Sequence, residues 1–314
     1  MSGLTFNSYL NNALKMHSEG AFEQGYEYVT QNAQKVVGNE AKILNYRYSF
    51  AARAGHPDLA VKILKEAVGK GYWYSRSMLM EDEDLEGLRQ RKDFLELVTE
   101  CARREIEART SAKSKCMILK PSTRKRAIRG TVIALHGNGE SAELAFPHWN
   151  SCLEQGRTLA LIQSSQISYS MGFDWANLGQ GVKELEGHWR QMVRVGLDPA
   201  RTVIGGFSAG CRVILHTVLR GNVEPSGVIL VSPWLPDLDS ILPHMDRLLL
   251  GDTRFMIVCG EQDSECVDYA RRLAAYLRST DESIVRSRIV PGTDHDFPQG
   301  WEDMLRQILS GMIG

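Results

Sequence analysis

Arg201-Thr202-Val203-Ile204-Gly205-Gly206-Phe207-Ser208-Ala209-Gly210 is the stretch on which the fold turns. Residues 201–205 read as a short buried strand and residues 211–219 as a helix, so a serine flanked by glycines in a GxSxG pattern stands at a strand-to-helix junction. Gly206 and Gly210 leave room for a very tight turn that strains the serine backbone and projects its hydroxyl from the sheet. The helix start behind it aims backbone N–H groups at any negative charge formed there.

Outward from this junction, residues 131–135, 158–163, 227–231, 254–259 and 284–290 also read as strands, with amphipathic segments between most of them. Strands alternating with helices imply an α/β fold: a doubly wound, mostly parallel sheet covered on both faces. Residues 116–120 add an antiparallel edge strand. Toward the N-terminus the grammar differs. Leu10, Leu14, Val61, Leu64, Ala67 and Val68 recur at three- and four-residue spacing, with no convincing strand before Arg109. The expected organisation is a smaller all-α domain over residues 1–110 and a catalytic domain over 116–314, joined by the polar stretch 110–115. Within the helical part, residues 46–71 read as helix, turn, helix. With Ala52, Gly55, Asp58, Ala60 and Ala67 in place, this segment resembles a tetratricopeptide unit, and residues 22–38 a degenerate second one. Such units need neighbours to bury their faces, so this domain either caps the catalytic domain or offers a groove to a protein partner.

Composition narrows the function classes. Of 314 residues 43% are hydrophobic and 24% charged, which sets wholesale disorder aside, and a net charge of -1 offers no global field for nucleic acid or an anionic membrane. The local basic run Arg124-Lys125-Arg126 with Arg129 reads as a solvated hairpin or interdomain turn. Six cysteines without a CxxC pair point to reduced, buried thiols. The first residues lack a basic and then apolar leader, and eighteen apolar residues never run together, so the expectation is a cytoplasmic protein with no membrane span.

A serine hydroxyl needs an adjacent base, itself held by a carboxylate. His295 hangs in the loop Pro291-Gly292-Thr293-Asp294-His295-Asp296-Phe297-Pro298, after the strand at 284–290 and before the last helix. His216 and His188 fall on helices, His17 and His56 in the helical domain, and His244 follows a proline. The acid should follow the preceding strand, where Gly260-Glu261-Gln262-Asp263 leads into a helix. Asp263 is the choice, with Glu261 and Glu265 as neighbours able to substitute. Its other role would be to cap that helix, and one carboxylate is expected to serve both duties poorly. Charge developing on a carbonyl oxygen is best met by fixed backbone N–H groups, expected from Asn138 in the loop His136-Gly137-Asn138-Gly139 and from Ala209. His136 is then structural, tying the loop to neighbouring backbone.

Four motifs occur in order: HGNG at 136–139, LDPAR at 197–201, GFSAG at 206–210, and the pair GEQD at 260–263 and DHDFP at 294–298. Over residues 116–314 the chain resembles α/β-hydrolases, particularly the carboxylesterase, phospholipase and dienelactone-hydrolase-like branch. The resemblance implies a Ser208–His295–Asp263 triad acting on a small-molecule ester or thioester, without metal or organic cofactor; a peptidase or acyltransferase would use the same triad. A vestigial hydrolase attached to a helical interaction module is the reading from another class. The segment Gly172-Phe173-Asp174-Trp175 resembles the aromatic substrate-lining loop of carboxylesterases, which implies that Phe173 and Trp175 contact substrate. Residues 140–150, 164–178 and 233–252 are long enough to form a pocket or lid, with Trp234, Trp149 and Leu235 as further apolar lining.

Overall fold

The helical period of the first third resolves into α1 (Phe6–Ser18), α2 (Phe22–Asn32), α3 (Glu40–Arg53), α4 (Pro57–Gly69), α5 (Arg76–Met80) and α6 (Lys92–Ser111) in a computed structural model that describes residues 4–122, 129–245 and 253–312. Start signals sit where the sequence offers them. The Thr5 side chain accepts from Ser8 N, Asn39 Oδ1 accepts from Lys42 N at 3.3 Å, and Pro57 opens α4. Ala41, Leu44, Tyr48 and Ala51 of α3 pack with Ala60, Leu64 and Ala67 of α4 and with Phe94 and Val98 of α6 in one core. The opposite side of α3, through Ile43 and Phe50, closes a second core with Tyr9, Ala13 and Val29. The small alanines let the helix axes approach closely.

The remainder alternates strand and helix. In order come β1 (Lys115–Leu119), β2 (Thr131–Leu135), α7 (Ala142–Trp149), α8 (Ser151–Glu154), β3 (Thr158–Gln163), β4 (Gln166–Tyr169), β5 (Gly172–Asp174), α9 (Leu178–Arg194), β6 (Thr202–Phe207), α10 (Ala209–Leu219), β7 (Gly227–Val231), α11 (Leu238–Ile241), β8 (Arg254–Gly260), α12 (Val267–Thr280), β9 (Val285–Val290) and α13 (Trp301–Met312). Seven strands form one sheet in the order β1-β3-β2-β6-β7-β8-β9; β1 runs antiparallel to β3 and the other pairs are parallel. This is the α/β architecture expected from the alternation. Side chains alternate across it. Ile133, Leu135, Ile204, Leu230 and Ile257 face α9, α10 and α12, while Val132, Ala134, Val203, Ile229 and Val258 face α7 and α13. Both faces are buried, which is why the central strands read as continuous apolar runs. Among the described residues no helix is long and apolar enough to cross a membrane.

Contacts divide the chain into two units, Met1–Ala112 with Gln166–Phe173, and Lys113–Ser165 with Asp174–Gly314. The first unit thus includes a hairpin of β4 and β5 that sequence periodicity left inside the second. Ser170 carries its attachment: Ser170 N donates to Trp73 O (3.0 Å), Trp73 N to Ser170 Oγ (2.7 Å) and Asn39 Nδ2 to Ser170 O (3.0 Å). Tyr169 is buried in the core of α3, α4 and α6 and bridges to Tyr74. The other segments expected to be pocket or lid loops are partly regular too, since α7 occupies most of 140–150 and α11 lies within 233–252. Residues 246–252 of that loop, and Arg124, Lys125 and Arg126 of the basic run, lie outside the described residues.

Candidate active site

Ser208 follows β6 with φ 51° and ψ -120°, a left-handed conformation that costs energy for any residue with a Cβ. Neighbouring backbone holds it there: Ser208 N donates to Val231 O (3.0 Å) and Trp234 N to Ser208 O (3.3 Å). Gly210 is required by proximity, because a Cβ on it would stand 2.6 Å from His136 O. The turn is therefore wedged directly against the loop that follows β2.

His295 and Asp263 come from loops laced together beyond β8 and β9. Glu261 N donates to Val290 O and Gln262 N to Thr293 O, both at 2.9 Å, and a Cβ on Gly260 would overlap the carbonyls of Thr293 and Asp294. That approach sets His295 Nδ1 2.8 Å from Asp263 Oδ2 and His295 Nε2 3.0 Å from Ser208 Oγ. The three residues chosen from sequence are thus brought together in one hydrogen-bonded line. Asp263 is 1% exposed, and its Oδ1 accepts from Cys266 N (3.1 Å) at the start of α12. The expectation that one carboxylate would serve helix and histidine poorly is corrected: each duty takes its own oxygen. Burial alone would depress the histidine and raise the acid. The hydrogen bond and charge between them outweigh it, so His295 lies above the ordinary histidine value of 6.5 and Asp263 below the usual carboxylate value.

The loop His136-Gly137-Asn138-Gly139 is clamped on both sides of Asn138. Gly137 N donates to Glu140 Oε2 (2.8 Å) and Gly139 N to Asp174 Oδ1 (2.7 Å). Between them the Asn138 N–H meets no acceptor among the described residues, and Ala209 N–H heads α10, where the first turn has no intrahelical acceptor. His136 is fully buried, and burial lowers it to about 4, so the ring is neutral. Its Nε2 accepts from Ser164 N (3.2 Å), which puts the ring proton on Nδ1, 2.6 Å from Gly137 O.

Glu140 and Asp174 escaped the sequence reading, since nothing local marks a carboxylate that binds a loop amide from another element. Glu140 is the more consequential. Desolvation of its enclosed carboxyl pushes it up to about 7, aided by the Asp296 charge and opposed by the Gly137 N–H and by His295.

Among the proposed lining residues, Trp175 is corrected. It is 3% exposed, stacks on the His136 ring at 4.9 Å, gives its Nε1–H to His136 O (2.8 Å) and its backbone N–H to Asn138 Oδ1 (2.9 Å). It braces the loop from the core because its indole has an apolar body and one donor to satisfy. Trp149 and Leu235 are fully buried core residues as well. Phe173 closes the hairpin that belongs to the first unit. Trp234 is half-buried, with its backbone on Ser208 and its ring 5.8 Å from the Arg212 guanidinium.

Other histidines are engaged elsewhere, His17 with Asp84, His56 with Glu23, His188 with Ser114 and His216 with Asp237. Donor atoms of Asp263, Cys266 and His295 lie within 4.8 Å of one another, with Cys266 Sγ 3.6 Å from His295 Nδ1. Two of these three are already bonded to each other.

Residues 174–310 match the phospholipase/carboxylesterase family, and residues 5–109 match the N-terminal domain of A/B hydrolase-like proteins. An uncharacterized protein from Bacillus cereus ATCC 10987, solved at 2.75 Å, is 31% identical over 98% of this chain and 99% of its own, with a TM-score of 0.56. Esterase PE8 is 18% identical over 64% of this chain and 99% of its own (TM-score 0.53). Esterase 2 of Thermogutta terrifontis, solved phosphorylated by paraoxon, is 16% identical over 64% and 89% (TM-score 0.51). These two likenesses concern the fold. No curated protein is similar enough to be matched.

Proposed function

Because the chain belongs to the α/β-hydrolase superfamily, in its phospholipase/carboxylesterase branch, we propose that it hydrolyses a carboxylic ester or thioester through an acyl-enzyme on Ser208. The observation that carries the reading is the continuous line Ser208 Oγ, His295 Nε2, His295 Nδ1, Asp263 Oδ2, with links of 3.0 and 2.8 Å. Ser208 Oγ attacks the carbonyl carbon while its proton passes to His295 Nε2. Asp263 fixes the tautomer and stabilises the imidazolium. The negative oxygen of the tetrahedral adduct is met by the N–H groups of Asn138 and Ala209. As the adduct collapses, His295 returns the proton to the leaving alkoxide or thiolate. Water then attacks the acyl-enzyme with His295 again as base, releasing the acid and restoring Ser208.

Trp234, half-buried and joined to Ser208 through its backbone N–H, is the proposed lining residue for the apolar part of the substrate. The six free cysteines suit a reducing compartment such as the cytoplasm. The test is labelling by a fluorophosphonate probe together with hydrolysis of esters and thioesters of graded chain length. Wild-type protein should label and turn over, and Ser208→Ala should lose both. Labelling that persists in the variant would overturn the assignment.

A further inference from the structure

Strand β9 is the outer edge of the sheet, and α13 does not cover it fully. Between them lies a groove of about 950 Å³. One wall is a single face of α13, on which Met304, Ile308 and Met312 are spaced four residues apart along the helix, with Gln307 and Gly311 between them. The other wall is cationic. Arg286 and Arg288, two residues apart on β9, pair in register with Met256 and Val258 of β8, both core residues of the α13 face, so the two arginines stand on that face. Arg254 of β8 adds a third guanidinium. Among the described residues Arg286 and Arg288 enter no ion pair, and Arg254 gives one N–H to Gly311 O (3.0 Å). Asp281 is the acidic member of the lining, leaving an excess of two positive charges beside the methionine and isoleucine side chains of α13. The groove opens at the amino ends of β8 and β9. Asp263 and His295 follow the carboxyl ends of the same strands, roughly 20 Å of extended chain from the amino ends, and no lining residue of the groove belongs to the candidate active site.

We propose that this groove binds a long-chain anion, a phosphate monoester or carboxylate head on Arg254, Arg286 and Arg288 with an alkyl chain along α13. Guanidinium forks match the planar or tetrahedral oxygens of such heads and are readily desolvated, and the groove has the volume of a small-molecule site. The two features select together: inorganic phosphate leaves the methionine and isoleucine floor uncovered, and a neutral chain leaves three cations unanswered.

Calorimetric titration of the full chain with dodecyl phosphate below its micelle concentration tests this, against inorganic phosphate and a neutral dodecyl glycoside. Saturable binding of the alkyl phosphate, at least tenfold tighter than either control, is expected. Arg286→Glu with Arg288→Glu should weaken it by tenfold or more, Arg286→Lys with Arg288→Lys by less, and short-ester hydrolysis should stay at the wild-type rate in both. Thermal melts of the variants separate loss of binding from loss of fold. Equal affinity for all three probes, or alkyl phosphate binding unchanged by charge reversal, overturns the proposal. Absence of uptake together with a change of oligomeric state on charge reversal overturns it in favour of an interface between copies. None of these outcomes depends on Ser208 reactivity.

Discussion

At the carboxyl ends of β8 and β9, Asp263 and His295 answer each other at 2.8 Å, and both oxygens of the acid are engaged. Along the same two strands, from Arg254 at the amino end of β8 to Arg286 and Arg288 of β9, three arginines face a groove in which Asp281 is the acid. The strands are shared, so the backbone does not make the difference. What differs is the purpose of the polar groups. In the proposed reaction, the charges that pass a proton are held by one another in fixed geometry, because misplacement costs rate. Charges left to solvent at a concave apolar surface retain their capacity for a ligand.

The contrast breaks most readily at the acid. Asp263→Asn keeps size and burial but offers an amide where His295 needs an acceptor, and turnover should fall by about 10⁴-fold. A fall of less than tenfold in steady-state assays would mean that the hydrogen-bonded line is not the reaction path. Asp174→Ala is next. It removes the Oδ1 acceptor of Gly139 N–H and loosens the loop without deleting the Asn138 donor, so kcat should fall by roughly tenfold, below the 10²- to 10³-fold of a lost donor. Asp174→Asn, which keeps a carbonyl acceptor, should recover most of it.

Wild-type kcat/KM should rise with pH through a midpoint above 6.5, since in its proposed role His295 serves as a base only when neutral and is held upward by Asp263. Glu140→Gln sharpens this. Glu140 favours the imidazolium only when it is itself ionised, above about 7, so the substitution should lower the midpoint only slightly and should act mainly on the alkaline side of it. The sign for stability follows from the same carboxyl. Glu140 holds its proton up to about 7 in the folded chain against 4.5 ordinarily, so folding loses stability as pH rises through that window. The glutamine variant should therefore melt roughly 3 °C higher than wild type at pH 8 and no higher at pH 4. A variant no more stable at pH 8 would show the carboxyl to be solvated.

Much of this was legible in sequence because it is local. The strand positions rest on apolar runs of five or six residues, and GFSAG fixes Ser208 at a turn within ten residues of chain. His295 and Asp263 were found by loop order, since each follows a strand. Glu140 and Asp174 were not, because their partners are backbone N–H groups whose orientation depends on how β2 and β5 end. Trp175 was misjudged for a related reason: an aromatic residue in a loop looks the same in sequence whether it faces substrate or core, and its contacts with His136 and Asn138 lie nearly forty residues away.

The sequence by itself therefore determined the alternation of strand and helix and the strained serine turn, which follow from periodicity and from what glycine permits over a few bonds, and it offered Asp263 and His295 through the order of their loops. Tertiary structure decided how Asp263 divides its two oxygens, which amides flank Asn138, that residues 166–173 join the helical unit, and that three arginines from two strands share one groove. Each of these depends on distances between segments far apart in the chain, and such distances are set only when the cores on either side of the sheet pack.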